Sequence, residues 1–131
     1  MKKQLLLLVA LMMAGTALLN AQGPQRRTVE ERVQIVHHKM DSTFKYDAAK
    51  LAKVDTVFAH YYRSTDKVRE ELMSGGERPD MTVMREKVQP YMEARDKELK
   101  VLMGDDNFKK WKEEIEPTMM RRGPGGGAPR Q

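Results

Sequence analysis

Three histidines, His37, His38 and His60, are the residues of this chain most suited to holding a metal, but their spacing argues against it. Neighbouring helical residues point about 100° apart, whereas a helical chelate sets its ligands three or four residues apart on one face. His37 with Asp41 is the only pair of plausible ligands in this region spaced four apart, and Met40 sits three residues after the histidine. Surface histidines are the simpler reading, and no cofactor or metal is expected. Ser42, Ser64 and Ser74 lie outside any Gly-x-Ser-x-Gly setting, and cysteine is absent. Nucleophilic elbows, thiolate sites and disulfides are therefore excluded. The paired acids Glu30/Glu31, Glu70/Glu71 and Glu113/Glu114 read as solvated helix faces, so no enzymatic chemistry is expected.

The remaining chemistry is that of soft, apolar contact. Outside the first 21 residues the chain holds eight methionines, whose flexible thioethers suit surfaces that accept varied partners. Most of them are expected to fill the core. Met81, Met84 and Met92 surround Pro90 and are the candidates for contact with another protein, together with Tyr62, which lies off the apolar stripe of its own segment beside Arg63.

What positions these residues follows from the chain's organisation. Lys2 and Lys3 precede an apolar stretch of 15 residues from Leu5 to Leu19, and Ala21 then leads into polar sequence. This is the layout of a secretory signal peptide, residues 1–21, too short for a membrane span of about 20 apolar residues. The mature chain is expected to be periplasmic, with no stable membrane insertion. Without residues 1–21 the formal net charge falls from +5 to +3, and Arg121, Arg122 and Arg130 account for that excess. An exported chain with a neutral body is not expected to bind nucleic acid.

Residues 22–27 read as a linker and 28–117 as one helical domain, since residues 25–74 contain neither glycine nor proline. Thr28-Val29-Glu30-Glu31 fits a capping box opening a first helix with Val29, Val33, Val36, Met40 and Phe44 on one stripe. After a bend at 42–47, Asp47 can cap a long second helix carrying Leu51, Val54, Phe58, Tyr61, Thr65, Val68 and Leu72 on its seam. Asp80 can cap a third helix over 81–103, with Met84, Val88, Tyr91, Leu99 and Leu102 near one face and Arg95 interrupting them. Pro90 must kink that helix or split it. Acid-first pairs such as Glu93 with Lys97 and Asp96 with Lys100 support it, and Gly104 ends it. A short last helix carries Phe108, Trp111 and Ile115 and is expected to end near Glu116, with Pro117 beyond it. Residues 118–131 read as a disordered Gly/Pro/Arg-rich tail.

A shift of 57 residues lays Phe44–Phe58 over Val101–Ile115, matching apolar to apolar at Phe44/Val101, Tyr46/Met103, Leu51/Phe108, Val54/Trp111 and Phe58/Ile115. With the export signal and the helical body, this layout resembles the Spy/CpxP family of periplasmic proteins, which carry two Leu-Thr-x-x-Gln motifs at helix starts. The motif positions here read Tyr46-Asp47-Ala48-Ala49-Lys50 and Met103-Gly104-Asp105-Asp106-Asn107. Asp47 stands in for the threonine as a cap and Asn107 keeps the amide in shortened form, while Lys50 and Gly104 depart from the pattern. The resemblance implies an all-α fold of about four amphipathic helices in a curved hairpin, or cradle, that pairs into a homodimer. It further implies ATP-independent binding of unfolded or stress-related envelope proteins. Heavy-metal binding on the same architecture and a purely structural envelope role are the alternatives.

Overall fold

The computed structural model describes residues 26–120, all helix, turn or coil, with no strand among them. The expected signal peptide, most of the expected linker before Thr28 and the segment 121–131 lie outside the described residues. Helix α1 (Val29–Phe44) opens on the capping box: Thr28 Oγ1 accepts from the Glu31 backbone N–H at 3.2 Å, and the Glu31 carboxylate accepts from the Thr28 N–H at 3.0 Å. Helix α2 (Ala48–Met73) opens on Asp47, whose carboxylate accepts from the Lys50 N–H at 2.7 Å. Helix α3 (Met81–Met103) opens on Asp80, which accepts from the Thr82 N–H at 2.8 Å. Each cap satisfies a first-turn donor that has no partner within its helix.

The chain reverses between these rods at Lys45, at Gly76 and at Gly104, each with a positive φ. Gly104 has φ 80° and ψ 162°, a region open to glycine at little cost and to other residues only under strain. Helix α3 runs unbroken through Pro90, so the lost backbone hydrogen bond does not split it. After Gly104 come α4 (Asp105–Lys110), a π turn (Trp111–Ile115) and α5 (Glu116–Met120), one continuous helical rod.

This last rod departs from expectation. It does not stop at Glu116 but runs on to Met120, three residues beyond the expected domain end at 117. The cause is the π turn: the Glu116 N–H reaches back to the Trp111 carbonyl, five residues away. The ladder restarts there, and Pro117 falls in the first turn of α5, where a missing N–H costs little.

The core collects Val33, Val36 and Met40 from α1, Leu51, Val54 and Phe58 from α2, Leu99 and Met103 from α3, and Trp111 and Ile115 from the π turn. Each such side chain contributes about 1.5–3 kcal/mol by leaving water. Phe58 and Trp111 meet edge to face at 5.5 Å between centroids. The predicted stripes therefore face inward, with three exceptions. Tyr91 is exposed, Val57 beside the α2 seam is buried, and Arg95, read as an interruption, is buried on the same face as Leu99. Thr65 keeps its place on the seam by donating its hydroxyl to the Tyr62 carbonyl at 3.1 Å.

Helix α2 has 26 residues and α1 only 16, a difference of about 15 Å in length. Arg32 at the start of α1 reaches Asp66, so the last turns of α2 run past α1. The far end of the α2–α3 hairpin is thus left partly uncovered, and an open groove lies beside it. No helix among the described residues is long and apolar enough to cross a membrane.

Candidate functional site

The groove has a volume of about 460 Å³. Its floor is Tyr61, Tyr62, Met84, Val88 and Met92, supplied by α2 and α3, and three arginines, Arg32, Arg69 and Arg85, line it as well. Three of the four residues expected to contact another protein, Tyr62, Met84 and Met92, therefore meet here although they lie on two helices. Met81 does not join them: it is 63 % exposed at the start of α3, outside the groove.

The floor is held in place by cations. The Arg32 guanidinium lies 4.6 Å over the Tyr62 ring while its other side is paired with Asp66. Tyr61 and Tyr62 pack against each other at 5.5 Å, and Tyr62 packs against Phe58 at 5.9 Å. Burial pushes both phenols above the ordinary tyrosine range, Arg95 opposing it at Tyr61 and Arg32 at Tyr62. Arg69 shifts downward, first because it is desolvated and then because Arg26 and Arg32 crowd it. Asp66 sits between Arg32 and Arg69, with the Arg69 pairing stretched to 3.8 Å. Positive charge thus exceeds negative around an apolar floor, a surface suited to chain segments that mix apolar side chains with carboxylates.

Beneath Tyr61 lies a network of four charges. Arg95, 4 % exposed, donates to Glu116, 6 % exposed, at 2.6 Å and to Asp96 at 2.6 and 2.8 Å. Lys112 bridges Asp96 at 3.0 Å and Glu116 at 2.5 Å. Burial alone would lower the Arg95 and Lys112 pKa values, but the carboxylates beside them outweigh it and both rise. The expected pair of Asp96 with Lys100 does not form; Asp96 turns inward to Arg95 and Lys112, and Lys100 reaches Asp105 instead at 3.6 Å. The exposed pair of Glu93 with Lys97 is likewise absent among the described residues, and Gln89 takes Glu93 at 2.8 Å.

The motif positions lie at the other end of the molecule and come together there. Asn107 donates its side-chain amide to the Tyr46 hydroxyl at 3.2 Å, the Lys50 ammonium lies 4.3 Å over the Tyr46 ring, and Phe44 stacks on Tyr46 at 5.3 Å. Asp47 caps α2 as expected, and Met103 is buried in the core. The matched apolar positions Leu51, Val54, Phe58, Trp111 and Ile115 all enter one core, but Val101, matched to Phe44, is 82 % exposed. It lines a larger, shallower groove of about 690 Å³ on the other face of the α2–α3 hairpin, between Val57 and Leu102.

His37 and His38 meet edge to face with ring centroids 6.0 Å apart, and His60 is exposed. His37 Nδ1 lies 2.8 Å from Asp55 Oδ2, and no group of three His, Cys, Asp or Glu stands together among the described residues.

Arginines 32, 69 and 85 were not singled out by the sequence, because surface arginines are common on any charged helix. Arg95 did leave a signal: one cation on an otherwise apolar stripe calls for a buried carboxylate partner. Which carboxylate that would be depends on the path of the last rod. Comparison with family models, with characterised proteins and with solved structures finds no match to this chain.

Proposed function

We propose that this chain is an exported, ATP-independent binder of unfolded or stress-related envelope proteins, a chaperone or stress adaptor in the manner of the Spy/CpxP proteins. One observation carries the reading: the groove that gathers Tyr62, Met84 and Met92 under a cationic rim. Aromatic and thioether side chains supply apolar contact without demanding one sequence, and arginines capture the carboxylates that flank apolar segments of an unfolded chain. No nucleotide is needed, because a weak, open site exchanges its clients by dissociation alone.

The test is suppression of aggregation of a urea-denatured enzyme diluted into buffer with equimolar protein and no ATP. Wild type is expected to keep the solution clear. Tyr62→Ala and Met84→Ala are expected to lose most of that effect while Met81→Ala keeps it. Light scattering that rises equally with and without the protein would overturn the proposal and leave a structural role. Equal activity in all three variants would displace the site from this groove.

A further inference from the structure

We propose that Arg95 and Glu116 are positioning residues of the groove, holding the Tyr61 ring as its floor from the buried side. The proposal rests on the binding role assigned to that groove. Tyr61 lines the groove, and the Arg95 guanidinium covers the ring at 4.6 Å. The same guanidinium is 5.7 Å from the Phe58 ring, so it stands between the groove and the core. A cation at that depth stays only where carboxylates hold it. Glu116 supplies one at 2.6 Å, from a helix 21 residues further along the chain.

The π turn is what delivers that carboxylate. Trp111 and Ile115 are buried four residues apart, the spacing of one helical face. In a regular α-helix the next residue would swing toward solvent. The widened turn holds Glu116 back on the buried side, with its N–H bonded to the Trp111 carbonyl. The last rod thus reaches the groove through two side chains: Glu116 fixes Arg95, and Arg95 fixes Tyr61. Lys112 and Asp96 pair with each other at 3.0 Å and keep the network neutral.

Stability and positioning separate in one variant. Arg95→Met with Glu116→Leu replaces the buried ion pair by apolar side chains, a change that typically leaves a fold as stable or more so. Lys112 and Asp96 retain each other. The control is Ile115→Val, which removes a core methylene without touching Arg95. Binding of fluorescein-labelled reduced, carboxymethylated lactalbumin, which cannot refold, is followed by anisotropy. Ring contacts of Tyr61 are followed by NMR in the full chain.

The double variant is expected to unfold at no lower urea concentration than wild type yet to bind about fivefold more weakly. Its Tyr61 ring signals are expected to shift and their cross-peaks to the Tyr62 ring, 5.5 Å away in wild type, to weaken. Ile115→Val is expected to bind as wild type does. A double variant with wild-type affinity and an unmoved Tyr61 ring would overturn the proposal. Should wild type itself fail to bind, the binding role falls, and the Tyr61 spectrum alone then decides whether the pair positions the ring.

Discussion

The side-chain amide of Asn107 donates to the hydroxyl of Tyr46 at 3.2 Å, joining residues 61 positions apart. Tyr46 precedes the start of α2 and Asn107 lies in the first turn of α4, so the bond ties two helix starts into one corner. The tyrosine is half-buried there, and burial raises its pKa while the Asn107 hydrogen bond opposes the rise.

Removing either partner of this bond should cost about 1 kcal/mol, the usual net worth of one partly buried hydrogen bond. Tyr46→Phe and Asn107→Ala are expected to lower the urea midpoint by similar amounts. The double variant should cost little more than either alone, because the second change finds no bond left to break. Full additivity of the two single effects would show that the bond contributes nothing.

Gly104→Ala should destabilise by about 1–3 kcal/mol through the backbone alone. A methyl group at this position would meet no atom within 4 Å, so crowding plays no part. Thermal unfolding is expected to shift downward for alanine and for the larger, unbranched glutamine by nearly the same amount. A much greater loss for glutamine would point to packing in place of φ.

Breaking the buried ion pair from one side should be severe. Glu116→Leu leaves Arg95 with Asp96 as its partner, and the loss should approach about 3 kcal/mol, the lower end for an uncompensated buried charge. Arg95→Met with Glu116→Leu should recover all of it. Calorimetry on the two variants checks this, and equal losses in both would refute the pairing argument.

The alkaline limb of stability should be steep. Tyr61 and Tyr62 rise above 10.0 because burial disfavours the phenolate, and Lys112 rises above 10.5 because Glu116 and Asp96 outweigh its desolvation. All three hold their protons more tightly when folded, so the unfolded chain releases them first. Their contribution is complete below pH 10 and is lost as pH climbs through the folded values. Urea midpoints are expected to be flat from pH 8 to 9.5 and to fall beyond pH 10.5. Tyr61→Phe with Tyr62→Phe should flatten that fall.

The sequence by itself determined where the first three helices begin and end and that the stripes of α1 and α2 turn inward. Caps at Thr28, Asp47 and Asp80, the break at Gly104 and the stripes of α1 and α2 are interactions within a few residues, legible without knowing how the rods pack. Only the tertiary structure decided that Arg95 is buried, that the last rod widens at Trp111 and continues past Pro117, and that Tyr62, Met84 and Met92 share one groove. Those outcomes depend on pairings across the fold: Arg32 with Asp66 over 34 residues, Arg95 with Glu116 over 21 and Tyr46 with Asn107 over 61. A charge's place is set by its partner, and periodicity along one helix holds no record of a partner on another.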